Sequence, residues 1–205
     1  MPDVPDNNSR TSPVHLPPGG TISYTERWLS SDHAARLCKQ LLESLHWRQL
    51  PVYLFGRWIP QPRLTDFHGD PGTCYSYAGL DLRGRGWPGP LAELREAVAL
   101  HTGQRFNTVL CNLYRNGNDY MGWHADDERE LGRDPIIASV SLGASRRFLL
   151  RPRRGERGER REFVLASGSL LVMAGDLQHH WQHQLPKALR VGEPRINLTF
   201  RQVSG

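Results

Sequence analysis

From residue 106 onward, apolar and polar positions alternate with a period of two. FNTVLCNLY, IIASVSL, RRFLLR, EFVLA and SLLVMAG read as short strands, and WQHQL and RINLTFR complete the set. Asn116-Gly117 and Ser167-Gly168 are turn signals between them. Upstream the period changes. Ala34, Leu37, Cys38, Leu41 and Leu45 recur at helical spacing behind Ser31, a residue suited to an N-cap. Leu91, Leu94 and Val98 form a second helical stripe, opened at Pro88 or Pro90 and stopped at Gly103. Helices that lead into many short strands predict a mainly β, α+β domain built as a sandwich or double-sheet jelly roll.

Residues 1–20 are rich in proline, glycine and polar residues and predict a flexible N-terminal tail. The remainder, 21–205, is long enough for a single domain with its own core. No apolar run reaches the roughly 18 residues needed to cross a bilayer, so no membrane partner is expected. MPDVPDNNSR lacks the apolar stretch of a secretory signal. Cys38, Cys74 and Cys111 are odd in number and widely spaced, which fits neither a disulfide framework nor a zinc motif. A reducing compartment is expected, the cytoplasm for a bacterial chain or the nucleus for a eukaryotic one.

Charge adds a hint about partners. The formal net charge is +5, and Lys39 and Lys187 are the only lysines among 26 basic side chains. Arginine's planar fork grips phosphate and carboxylate bidentately, so the balance favours a nucleic-acid partner. RPRRGERGERRE (151–162) reads either as a solvated loop or as a phosphate-contacting arm.

Two constellations carry candidate chemistry. In Gly122-Trp123-His124-Ala125-Asp126, a His and an Asp two apart on extended backbone point the same way and can share one metal edge. A third ligand must come from elsewhere; His179, His180 and His183 in DLQHHWQHQLP are the candidates, and spacing does not choose among them. Two imidazoles and one carboxylate leave half of an octahedron open for a cosubstrate and dioxygen, the pattern of non-haem Fe(II) oxygenases, although the same donors also suit zinc. The second constellation is PRINLTFR. Arg195, Asn197, Thr199 and Arg201 alternate with Ile196, Leu198 and Phe200, so the polar set shares one strand face. Arginines buried on such a face require anions, which a dicarboxylate such as 2-oxoglutarate would supply. Asn112 and Tyr114, also two apart, could reach the same ligand from a partner strand.

Together these residues resemble the AlkB family of Fe(II)/2-oxoglutarate dioxygenases, in the right order from about residue 20 to residue 203. NLYRNGNDYMGWHADDERELGRDPIIASVSLGASRRFLLRP, GSLLVMAGDLQHHWQHQLPK and PRINLTFR carry the likeness. LFGRWIPQPR followed by GDPGTCYSYAG points to the animal homologues that act on duplex DNA. The resemblance implies a double-stranded β-helix core over about 106–203 and a nucleotide-recognition segment over about 50–85. It implies His124, Asp126 and His183 as iron ligands, with His183 selected by its W-x-H-x-L-P context. It implies Arg195 and Arg201 as holders of the 2-oxoglutarate carboxylates, supported by Asn112, Tyr114, Asn197 and Thr199.

The same resemblance places the damaged base with Tyr75, Tyr77 and Ala78, stacked between Tyr77 and His124, with Glu128 near the base edge. Asp127 is expected to orient an arginine. Phe55 stands where the duplex-acting branch carries its intercalating residue, and Arg57 and Arg63 beside it could steady phosphates. This chain has tyrosine at Tyr77 and alanine at Ala78 where the branch more often has phenylalanine and serine. The implied reaction is oxidative demethylation of bases such as 1-methyladenine and 3-methylcytosine, with Fe(II), 2-oxoglutarate and O2 giving succinate, CO2 and formaldehyde. The implied substrate is duplex DNA with the base flipped out, single-stranded DNA and RNA being the other candidates, and the protein is expected to act as a monomer. The same chemistry on RNA or protein, and a non-enzymatic nucleic-acid-binding module, are the alternative readings.

Overall fold

The computed structural model describes residues 12–54, 56–77 and 79–204. Phe55 and Ala78, both expected at the substrate, lie outside the described residues.

In chain order, β1 (Val14–His15) and β2 (Thr21–Thr25) precede α1 (Ser31–Ser44). Then come β3 (Pro51–Leu54), β4 (Arg57–Pro60), β5 (Leu64–Gly69), β6 (Cys74–Tyr77) and β7 (Leu80–Arg83), followed by α2 (Gly89–Thr102). β8 (Thr108–Tyr114), β9 (Met121–His124), β10 (Ile137–Gly143), β11 (Arg146–Pro152), β12 (Arg161–Leu165) and β13 (Ser169–Ala174) follow. The short α3 (Leu177–His180), β14 (Trp181–Leu185) and β15 (Arg195–Arg201) end the fold.

The strands form a seven-stranded sheet, ordered β1-β2-β13-β10-β15-β8-β5, and a four-stranded sheet, ordered β12-β11-β14-β9. Every pairing is antiparallel. This is the double-sheet jelly roll that the alternation predicts. Hairpins β3–β4 and β6–β7 form two further small sheets. The larger sheet extends beyond the 106–203 segment: β1 and β2 continue it past β13, and β5 continues it past β8.

The helices explain why one face of the larger sheet is apolar. Ile196, Leu198 and Phe200 of β15 are buried in one cluster with Leu37 and Leu41 of α1 and Leu91, Leu94 and Val98 of α2. The alternate residues of β15 therefore turn to the other side, between the two sheets. Ser30, one residue before the expected cap, accepts the His33 amide at the start of α1. Gly103 closes α2 in the left-handed conformation, as its position after the apolar stripe predicts. The three cysteines are free thiols, and among the described residues no helix is long and apolar enough to cross a membrane.

One expectation needs correction. Residues 1–11 of the expected tail lie outside the described residues, and its remainder is packed: Val14–His15 pair with β2, and Leu16 is 1% exposed among Leu177 and Trp181. The proline- and glycine-rich composition has a packing reason. Gly20, at φ +91°, passes so close to Leu177 that a Cβ there would lie 2.4 Å from the leucine's own Cβ. Glycine is what lets the segment lie against α3.

Leu198→Ala removes a fully buried side chain from the helix-facing cluster. It is expected to lower the unfolding free energy by about 2–5 kcal/mol, read as a reduced urea midpoint at unchanged slope.

Candidate metal and cosubstrate site

β15 is flanked by β10 and β8, so three strands present side chains to the inter-sheet space in register. Asn197 stands opposite both Asn112 of β8 and Ser141 of β10. Arg195 stands opposite Tyr114, and Thr199 opposite Leu110 and Ser139. The smaller sheet supplies the facing wall, where His183 of β14 pairs directly with His124 of β9. These residues, Ser141 excepted, line one cavity together with Arg63, Tyr77, Asp126 and Arg201.

His124, Asp126 and His183 each offer a donor atom, and these atoms lie within 4.8 Å of one another. The His124 and His183 rings are 4.2 Å apart between centroids. His124 Nδ1 is 2.9 Å from the Gly122 carbonyl. A carbonyl only accepts, so Nδ1 carries the proton and Nε2 presents its lone pair. That Nε2 is 3.9 Å from Asp126 Oδ1. Asp126 Oδ1 and His183 Nδ1 are buried with no hydrogen-bond partner among the described residues. Buried orphans of this kind are costly unless something binds them. A cation seated among the three groups would satisfy the exposed lone pairs, so the donor set fits an Fe(II) ion.

The electrostatics prepare the same state. Burial alone would raise the Asp126 carboxyl, but Arg201, whose Nη2 lies 3.0 Å away, outweighs it with help from His183 and His124, and the group stays ionised with a pKa of about 2. Burial, reinforced by His124, pushes His183 down to about 3, so its imidazole is neutral at ordinary pH. Both groups are thus in the protonation state that metal ligands need.

The arginines fit a dianion. Arg195 is 2% exposed, and its partners are the Ser141 hydroxyl at 2.9 Å and the Tyr114 ring at 5.3 Å. Among the described residues no carboxylate pairs with it. Burial depresses its pKa to about 10, as an uncompensated guanidinium requires. Arg201 shares Asp126 and has the Tyr75 ring 5.6 Å away. Asn112, Tyr114, Asn197 and Thr199 line the space between the two arginines, and Asn197 is held by the Ser139 hydroxyl at 2.7 Å. The two serines were not singled out from the sequence, although the alternation in IIASVSL places both on one face.

The expected substrate-side residues divide. Tyr77 lines the cavity with His124. Tyr75 lies behind it, buried, with ring centroids 5.9 Å apart. Glu128 does not line the cavity; burial and the neighbouring Asp126 raise its carboxyl to about 7. Asp127 pairs with Arg153, at the base of the 151–162 segment. Arg57 is exposed on β4, close in sequence to the exposed pair Tyr53 and Trp58, whose ring centroids are 5.2 Å apart. Arg63 differs from expectation. It is 2% exposed, donating to Asn112 Oδ1 at 2.6 Å and to the Tyr77 hydroxyl at 2.9 Å. β4 ends at Pro60, and in the bend before β5 the Arg63 side chain enters the cavity wall instead of facing phosphates.

A buried two-histidine, one-carboxylate group beside a pair of buried arginines, in a double-sheet jelly roll, is the arrangement of a non-haem iron oxygenase that uses a keto-diacid cosubstrate. The sequence profile of the 2OG-Fe(II) oxygenase superfamily matches residues 21–201. The mouse protein "DNA oxidative demethylase ALKBH2" is 42% identical over 179 residues, covering 84% of this chain and 75% of that protein. Its bovine counterpart is 46% identical over 158 residues, covering 74% of this chain and 57% of the relative. Human "Alpha-ketoglutarate-dependent dioxygenase alkB homolog 3" is 41% identical over 174 residues, covering 82% and 60%. The chain thus spans less than two thirds of the length of the bovine and human relatives. The solved structure of OsALKBH1 superposes with a TM-score of 0.62 at 16% identity, over 93% of this chain and 100% of that one, a likeness of fold. The chain belongs to the 2OG-Fe(II) oxygenase superfamily and, within it, to the AlkB homologues. Fe(II), 2-oxoglutarate and O2 are the cofactors of that chemistry.

The neutral His183 has a consequence for the metal-free protein. Its folded-state pKa lies below the roughly 6.5 of an unfolded histidine. Below that value the unfolded chain binds a proton that the folded chain refuses, so stability falls as pH drops from about 6.5 toward 3. Between pH 7 and pH 5 the loss from this group is roughly 2 kcal/mol. Thermal melts of metal-free wild type and His183→Gln at the two pH values should show a steeper acid loss in the wild type.

Proposed function

We propose that this protein removes methyl groups oxidatively from N-alkylated bases in DNA, 1-methyladenine and 3-methylcytosine being representative substrates. The observation that carries the reading is the convergence of His124, Asp126 and His183 with Arg195 and Arg201 in one cavity that Tyr77 also lines. The names of the mouse and bovine relatives, DNA oxidative demethylases, support the substrate.

In this reading His124, Asp126 and His183 hold Fe(II), and Arg195 and Arg201 receive the carboxylates of 2-oxoglutarate. With both bound, Fe(II) and 2-oxoglutarate would supply the means to oxidise an N–CH3 group with O2: succinate and CO2 leave, the carbon departs as formaldehyde, and the electron pair of the broken C–N bond returns to the base nitrogen as a proton is released. The chain's own part is placement. Arg195, held by Ser141, gives the cosubstrate one fixed anchor. Arg201 divides its charge between Asp126 and the incoming anion. Tyr77, its hydroxyl held by Arg63, offers a ring face to a flat cationic base. The apolar wall of Leu110, Phe148 and Leu185 limits water in the cavity.

A duplex substrate is the finer reading. A Cβ added at Gly79, in the turn of the β6–β7 hairpin, would lie 3.7 Å from Tyr53 and 3.9 Å from Trp58, so the two hairpins stand side by side, and the β6–β7 hairpin carries Tyr77. Tyr53 and Trp58 are 54% and 53% exposed, and Phe55 follows β3 in sequence. Aromatic residues of this kind suit insertion into a base stack from which one base has been withdrawn.

Incubation of a 1-methyladenine oligonucleotide with Fe(II), ascorbate, 2-oxoglutarate and O2 is expected to lower its mass by one CH2 per lesion and to release formaldehyde. Asp126→Ala is expected to abolish both signals; unchanged turnover in that variant would remove the basis of the reading. Arg195→Gln is expected to weaken 2-oxoglutarate binding by about 2–5 kcal/mol, read as a raised KM for the cosubstrate. Phe55→Ala should lose more activity on duplex than on single-stranded substrate, and equal losses would dismiss the duplex reading.

A further inference from the structure

We propose that Gln178 is a positioning residue that fixes the metal-binding carboxylate of Asp126 from its main-chain side; this rests on the reading of His124, Asp126 and His183 as the metal ligands. β9 ends at His124, and residues 125–128 belong to no helix or strand. The buried amide of Asp126 therefore has no neighbouring strand to bond. Gln178, 1% exposed on α3, supplies the missing acceptor: its Oε1 takes the Asp126 N–H at 3.0 Å. Its Nε2 has only the weak Met173 sulfur at 3.7 Å, so the amide bond to Asp126 is its one strong side-chain contact among the described residues.

Gln178 is itself anchored. Leu177, the residue before it, is fully buried under Gly20. The Gln178 carbonyl accepts from Arg153 Nη2 at 2.8 Å, and the same nitrogen donates to Asp127, next to the ligand. α3 leads directly into β14, which carries His183. One buried amide thus ties the irregular loop that bears Asp126 to the element that delivers the third ligand. Arg201 holds the carboxylate itself at 3.0 Å. Without the Gln178 acceptor, the loop's main chain is no longer opposed to that pull, and the carboxylate turns toward Arg201 and away from the imidazoles.

The test measures Mn(II) binding to the metal-free protein, together with the visible band formed anaerobically by Fe(II) and 2-oxoglutarate. Gln178→Met, of similar length but lacking the acceptor, is expected to weaken Mn(II) binding by about 10- to 100-fold and to diminish the band. Gln178→Glu keeps an accepting oxygen and is expected to recover most of both. A folded Gln178→Met protein that binds Mn(II) like the wild type overturns the proposal, as does a Gln178→Glu variant no better than Gln178→Met. If Gln178→Met does not fold, Arg153→Ala loosens the same tie from a partly exposed position and is expected to weaken Mn(II) binding several-fold; no change there overturns the proposal. Asp126→Ala tests the underlying reading separately: loss of binding in that variant alone refutes only the role of Gln178, whereas undiminished binding refutes the metal site.

Discussion

Among the described residues no carboxylate meets the buried Arg195, and much of the structure follows from that unbalanced charge. Taking a guanidinium out of water is expensive unless an anion or several acceptors meet it. Here the acceptors are sparse, a serine hydroxyl and an aromatic face. Arg63 and Arg201 are buried in the same cavity wall, and Asp126 alone among the groups lining the cavity opposes them with a carboxylate. The interior thus holds a surplus of positive charge that a dianionic cosubstrate completes. The fold tolerates the surplus because the strands that present it are braced on their other face by the main apolar cluster. β15 embodies the arrangement, burying Ile196, Leu198 and Phe200 on one side and the polar set on the other.

His124, Asp126 and His183, the proposed metal ligands, obey a different constraint. They come from the smaller sheet and from a loop at its edge, where pairing is irregular: the β9–β14 register shifts between His183 and Leu185. On the other side of that shift, strand pairing stops at His124, so no ladder fixes the backbone of Asp126. That stop leaves the Asp126 amide without a strand partner, and the buried side-chain amide of Gln178 takes its place. The rigid sheet holds Arg195 and Arg201, and a tethered loop holds Asp126.

Much of this was readable in the chain. Every strand from β8 to β15 except the short β9 appears as a period-two run, and β9 announces itself through His124 and Asp126. The facing of Arg195 with Asn197 and Arg201 required only strand alternation. The spacing of His179, His180 and His183 left three candidates. The structure shows why one stands with Asp126: His179 and His180 belong to α3, whereas His183 points inward from β14 opposite His124. Three features were not legible. Leu16 looked like part of a loose tail because its partners, Leu177 and Trp181, lie far along the chain. Arg63 looked like a surface cation because it lies in the bend between β4 and β5, where no strand alternation sets its facing. Gln178 had no signal at all, since a side-chain acceptor for a loop amide has neither period nor motif.

The burial of Arg63 links two traits that are usually adjusted separately. Its guanidinium reaches Tyr77, on the hairpin at the cavity's edge, and Asn112, on the strand beside the cosubstrate arginines. Any drift at this position displaces the aromatic platform and the cosubstrate seat together. A lineage that broadened its choice of lesion through residue 63 would therefore alter its dependence on cellular keto-acid supply in the same step. Selectivity changes that leave cosubstrate demand untouched would have to arise in the hairpins, away from this shared post.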